Sequence, residues 1–193
     1  RQGESLVYHE TADALLASEG LQYGMVTTDI DGDGLQDLVV RKVYLSFARV
    51  IRALISGNVS LRLWVFRMTP DGGYDEEPNY VTRTNVRFSM ASGQIDIPAI
   101  AVADFDGDGL KDLLMQKRPD ELSLSRGVAD ESLFSDDSVQ IETKLPRNGD
   151  LVASEDVDGD GRSDLIMRYT AADGEQAAHI VRLLIARPPA SIE

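Results

Sequence analysis

Short apolar runs separated by acidic, glycine-rich segments organise this chain. Residues 25–28 (MVTT), 99–103 (AIAVA) and 151–155 (LVASE) each lead into a nine-residue polar segment, and each segment is followed at once by a second apolar run, at 38–40, 113–115 and 165–167. Runs this short, punctuated by turn residues, predict strands rather than helices, so each unit reads as strand, tight acidic loop, strand. Further strands are predicted at 60–68, 121–126 and 179–187, with fourth strands at 80–86 and 138–145. A turn is predicted at 70–73 (PDGG). Each repeat therefore reads as one four-stranded meander. One segment breaks the β pattern: over 43–57, Val43, Phe47, Val50, Ile51 and Leu54 share one helical face and Gly57 supplies a stop, which predicts a short helical insertion.

The three polar segments are copies of one pattern: DIDGDGLQD from Asp29, DFDGDGLKD from Asp104 and DVDGDGRSD from Asp156. Asp29 and Asp104 stand 75 residues apart and Asp104 and Asp156 only 52, so the first repeat carries the insertion. Aspartates occupy loop positions 1, 3, 5 and 9. These are Asp29, Asp31, Asp33 and Asp37 in the first loop, Asp104, Asp106, Asp108 and Asp112 in the second, and Asp156, Asp158, Asp160 and Asp164 in the third. A hard cation with six to eight oxygen ligands at about 2.3–2.6 Å suits a short loop that aims several carboxylates inward, and calcium accepts the flexible geometry better than magnesium. The backbone carbonyl of position 7 (Leu35, Leu110 or Arg162) offers a fifth ligand, because side-chain chemistry varies there while the peptide oxygen does not. At position 6, Gly34, Gly109 and Gly161 supply the positive φ that tight wrapping requires. At position 4, Gly32, Gly107 and Gly159 leave room for close backbone approach. Repulsion among the carboxylates predicts that a loop without its cation opens, so metal binding is expected to be coupled to local folding. An EF-hand is excluded, because its loop needs a glutamate at position 12, occupied here by Val40, Met115 or Met167, and helices on both sides.

Composition sharpens this reading. With 33 Asp and Glu against 19 Lys and Arg, the formal charge of the 193-residue chain is −14. A surface of that sign opposes nucleic acid and favours cations. Three divalent ions would offset six of those charges. Cysteine is absent, which excludes disulfides, thiolate metal sites and a cysteine nucleophile. The most apolar region, 43–66, is interrupted by Arg49, Arg52 and Arg62, so no transmembrane helix is predicted. The chain begins at Arg1 with neither an initiator methionine nor a leader, and it is expected to derive from a longer or processed product.

The pattern Asp-x-Asp-Gly-Asp-Gly-x-x-Asp-Leu between two strands, present in full in all three copies, resembles the FG-GAP/VCBS repeat family, relatives of the integrin α-subunit β-propeller. The resemblance covers nearly the whole chain. It implies an all-β fold, a β-propeller segment of about three four-stranded blades with one short helical insertion, and a calcium loop joining the first two strands of each blade with its aspartates as ligands. Residues 1–20 would then hold an outer strand of a preceding blade, around Leu6 to His9, plus a linker. Blades would follow at 21–98 with the insertion at 43–57, at 99–150, and at 151–193, the last lacking a clear outer strand. Pro70-Asp71-Gly72-Gly73-Tyr74 is similar to a turn that follows the third strand in bacterial members, and residues 129–134 depart from it. Three blades do not close a ring, so further blades from the parent chain or another chain are expected. The resemblance further implies an extracellular, periplasmic or cell-surface scaffold for a protein or glycan ligand, or else an accessory part of a secreted calcium-dependent carbohydrate-active enzyme.

Other signals are weaker. His9 and His179 lack neighbouring groups suited to acid–base catalysis, and Ser125 and Ser163 lack a nucleophile-elbow context. Trp64 and Phe66 alternate with Leu63 and Val65, which predicts a strand buried on both faces and leaves sugar stacking on Trp64 as the lesser reading. Tyr74 and Tyr80, near Asp75, Glu76 and Glu77, read as an ordinary loop. The insertion is basic, with Arg41, Lys42, Arg49 and Arg52, and could dock an acidic partner or anionic lipid.

Overall fold

A computed structural model describes residues 20–44 and 46–187. Its backbone is mostly antiparallel β-structure. The first sheet comprises β1 (Leu21–Thr28), β2 (Asp37–Val43), β3 (Asn58–Phe66), β4 (Tyr80–Ser89) and β5 (Gln94–Asp96). The second comprises β6 (Ile100–Ala103), β7 (Asp112–Arg118), β8 (Glu121–Gly127) and β9 (Phe134–Glu142). The third comprises β10 (Val152–Glu155), β11 (Asp164–Arg168) and β12 (Val181–Leu184). In each sheet, neighbours in sequence are neighbours in space, so each is a meander closed by local hairpins.

The sheets pack on one another in chain order. Val39 of β2 and Leu61, Leu63 and Val65 of β3 meet Ile100, Leu113, Met115 and Phe134 of the second sheet in one core. Leu114 and Leu122, from the opposite face of the second sheet, meet Leu165 and Met167 of the third in another. This double burial explains why β7 opens with a continuous apolar run instead of an alternating one. Backbone bonds reinforce the junctions: Ile97 donates to Arg147 O and Gly149 donates to Ile97 O, both at 2.8 Å. Gly149 sits against the backbone of Pro98 and Ala99 so closely that any Cβ there would collide.

Several expected boundaries move. The helix, α1 (Phe47–Ser56), is shorter than the predicted 43–57, because Val43 pairs with Leu21 and Leu61 inside the first sheet. Ser46 caps the N-terminus by accepting the Arg49 N–H, and Gly57, at φ 66°, ends the helix and donates to Ala53 O. None of the helix is buried, so its apolar face covers no core. Arg41 and Lys42 are not on it: both belong to β2, where Arg41 pairs with Asp150 at 2.6 Å and Lys42 is buried. Lys42 Nζ lies 3.6 Å from the Trp64 ring centroid and covers one face of the ring. Burial holds the Lys42 pKa below the ordinary lysine value. The third strand of the first sheet buries Leu61, Leu63 and Val65 on one face, whereas on the other only Phe66 is buried and Arg62 and Trp64 are half-buried.

The last predicted strand, 179–187, contracts to β12, because Ala177–His179 forms a 3-10 turn. The third sheet has no fourth strand among the described residues. The fourth strand of the second sheet runs earlier than 138–145, starting at Phe134. One short strand, β5, was not predicted; the turn feeding it closes through Gly93, which donates to Ser89 O at 2.8 Å. Leu6 to His9 lie outside the described residues. No helix among the described residues is long and apolar enough to cross a membrane.

Candidate metal centre

The three acidic segments occupy equivalent places: each joins the first strand of a sheet to the second. The hairpins are also closed in the same register, because Thr28 pairs with Asp37, Ala103 with Asp112 and Glu155 with Asp164. Position 9 is thus the first residue of the returning strand in every copy, and position 1 lies just past the end of the outgoing one.

Within each loop the backbone is wound around the position-1 carboxylate. Asp29 Oδ1 accepts from Gly32 N–H at 2.8 Å and Oδ2 from Gly34 N–H at 2.9 Å. Asp104 repeats this with Gly107 and Gly109 at 2.6 and 2.9 Å, and Asp156 with Gly159 and Gly161 at 2.7 and 3.0 Å. Positions 3 and 5 add Asx turns, in which each carboxylate accepts the N–H two residues on. Asp33, Asp108 and Asp160 take those of Leu35, Leu110 and Arg162 at 2.8 to 2.9 Å. Such winding needs left-handed backbone at positions 4 and 6 alike. Gly32, Gly107 and Gly159 have φ between 75° and 81°, so position 4 is glycine for its conformation as well as for space. Close approach also matters at Gly107, where a Cβ would lie 3.1 Å from Arg162 Cγ.

Carboxylate oxygens converge in all three loops. One oxygen each from Asp29, Asp31 and Asp33 lie within 4.8 Å of one another, as do those of Asp104, Asp106 and Asp108, and those of Asp156, Asp158 and Asp164. Each group could hold a metal ion. The donors are all oxygen, which suits a hard divalent cation and excludes a thiolate or imidazole site. Asp160 stands outside its triad because its side chain turns to the Arg162 guanidinium at 3.0 Å. Among the described residues nothing donates to the carbonyl oxygens of Leu35, Leu110 or Arg162, the oxygens expected as fifth ligands.

Position 9 has a second occupation that the spacing does not reveal. Asp37 is fully buried; its Oδ2 accepts from Ile30 N–H and its Oδ1 from Met68 N–H, both at 2.9 Å. Asp112 takes Phe105 N–H at 2.9 Å and Gly127 N–H at 2.8 Å, and Asp164 takes Val157 and Ala186 N–H at 3.0 and 2.8 Å. In each sheet this aspartate ties the loop to the end of the third strand. Desolvation raises the pKa of Asp37 and of Asp112, opposed by those same N–H groups.

In the first two repeats an arginine at the end of the third strand also sits beside the loop. Arg67, next to Met68, pairs with Asp31, and Arg126, next to Gly127, approaches Asp106 at 3.4 Å. The corresponding residue in the third repeat is Ile185. These arginines and the loop amides offset part of the repulsion among the loop carboxylates. Of the residues weighed for catalysis, Ser163 donates its backbone N–H to Asp104 O at 2.6 Å, Ser125 lies on β8, and His179 ends a 3-10 turn. Comparison of the chain with protein-family models, with curated proteins and with solved structures gives no match.

Proposed function

We propose that this chain is a calcium-binding segment of a β-propeller, with one ion in each acidic loop, and that it acts as an extracellular or periplasmic scaffold for a protein or glycan ligand. The observation that carries the reading is the recurrence of one acidic loop, in one register, between the first two strands of three consecutive meanders. Calcium is favoured over magnesium because the donor set is rich in protein oxygens, whereas magnesium keeps most of its waters.

Further blades are part of the proposal. The position-2 side chains of the first two loops seal the junction with the next sheet: Ile30 and Phe105 are only 1% and 8% exposed. Val157, their counterpart in the third loop, is 49% exposed, and Val181 and Leu183 of β12 are exposed with it. That face has the character of a junction awaiting the next blade, from the parent chain or another.

Calorimetric titration of calcium into chelator-treated protein tests the reading. Three ions per chain are expected, with thermal stability raised by about 2.7 kcal/mol per site at a calcium concentration a hundred-fold above Kd. Absence of binding and an unmoved melting temperature at millimolar calcium would overturn it.

A further inference from the structure

Charge is segregated along this chain. Between Asp37 and Asp71 there is no aspartate or glutamate, while Arg41, Lys42, Arg49, Arg52, Arg62 and Arg67 all fall there, within a chain of net charge −14. Arg41 and Arg67 are committed to Asp150 and Asp31, and Lys42 is buried. The others converge at one place. Arg49 and Arg62 both approach the Tyr44 ring, with guanidinium carbons 5.3 and 4.9 Å from its centroid. Arg83 is the cross-strand partner of Arg62. Arg49, Arg52 and Arg62 line a cleft of about 450 Å³ between α1 and β3. Among the described residues, none of Arg49, Arg52, Arg62 and Arg83 pairs with a carboxylate.

Above that cleft α1 turns its apolar face outward. Phe47, Ile51 and Ile55 follow one another at helical spacing, and Phe47 and Ile55 are each 83% exposed. Val50 and Leu54 flank this ridge on the side of the cleft, which they help to line, and are partly exposed. Arg49 lies on the opposite side of the helix, and Arg52, three residues before Ile55, lies at the flank of the ridge. An apolar ridge backed by unpaired arginines is the arrangement of a helix lying in a membrane interface, with apolar side chains among the acyl chains and cations at the phosphates.

We propose that α1 and the arginines beneath it dock this protein on an anionic phospholipid surface. The ridge is convex, and a protein partner would need a matching groove, whereas a bilayer interface yields around it. The acidic remainder of the chain does not veto the contact, because at physiological salt charges more than about 8 Å away are largely screened. This inference rests on neither the calcium loops nor the propeller.

Cosedimentation at saturating calcium tests it, using vesicles of phosphatidylcholine with or without about 30% phosphatidylserine. Wild-type protein should pellet with the anionic vesicles and not with the neutral ones. Arg49→Gln/Arg52→Gln should weaken partitioning about twenty-five-fold, at roughly five-fold per arginine. Phe47→Ser/Ile55→Ser should abolish it. All four side chains are exposed, and circular dichroism checks that both variants keep the fold. The proposal fails if wild type ignores anionic vesicles or binds neutral ones equally. It fails equally if the Phe47/Ile55 variant binds like wild type, which would mean calcium bridging between acidic surfaces. Self-association abolished in that variant, without vesicle binding, would assign the ridge to a second copy and likewise overturn it.

Discussion

Lys111 donates its backbone N–H to the carbonyl oxygen of Ile30 at 2.9 Å, so the second acidic loop is fastened directly to the first. Ser163 does the same for the third loop through Asp104 O, and Arg162 Nε adds a bond to Asp106 O at 3.1 Å. Each loop therefore braces its neighbour, and a cation that stiffens one stiffens the junction between two sheets.

Removing one inward carboxylate should remove one ion. Asp108→Ala is expected to lower calcium stoichiometry from three to two per chain, and unchanged stoichiometry by equilibrium dialysis would count against the second site.

The buried position-9 aspartate should matter more to stability than any exposed one. In Asp112→Ala the N–H groups of Phe105 and Gly127 lose their acceptor inside the protein, at a cost of about 3 kcal/mol. Asp136→Ala, on the exposed part of β9, should change unfolding free energy by less than about 0.5 kcal/mol. Urea denaturation of both variants checks the contrast.

The same carboxyl gives a pH signature in calcium-free protein. Burial raises the folded-state pKa of Asp112, so its contribution is fully present below the unfolded value of about 3.9 and is lost as pH rises through the folded one. The stability difference between wild type and Asp112→Asn should therefore shrink as pH climbs from about 4 toward neutrality. Urea unfolding in chelator across that range measures it, and a difference that grows with pH would contradict the assigned burial.

Arginine beside a loop should compete with the cation. Removing Arg126, 3.4 Å from Asp106, should tighten the second site about three-fold, the scale of an exposed ion pair. Calorimetry on Arg126→Ala reads it, with Arg118→Ala as the remote control.

Loop position 2 should divide the repeats by their surroundings. Phe105→Ala empties a buried place between the second and third sheets and should cost about 3–5 kcal/mol. Val157→Ala, at a half-exposed place, should cost less than about 0.5 kcal/mol in this chain. The comparison is made by thermal unfolding in calcium.

Much of this was legible in the residues. Strands flanking each acidic loop follow from runs too short for helices, and the helix between β2 and β3 from the spacing of Phe47, Val50, Ile51 and Leu54. What periodicity could not report was where that helix would lie. Its apolar face predicts burial, yet it is exposed, because whether a face meets a core depends on what packs there and not on the face itself.

The acidic loops were likewise readable, because a repeated local pattern of aspartates and glycines dictates a local winding: Asp29 needs only Gly32 and Gly34, a few residues away, to shape its loop. The second task of Asp37, Asp112 and Asp164 was not, since their partners Met68, Gly127 and Ala186 stand 31, 15 and 22 residues further on. Nor could the sequence separate Val157 from Ile30 and Phe105, three apolar residues at one loop position. Local hydrogen bonding is written in neighbouring residues, whereas burial and long-range acceptors exist only once the sheets have stacked, and this is why tertiary structure alone decided them.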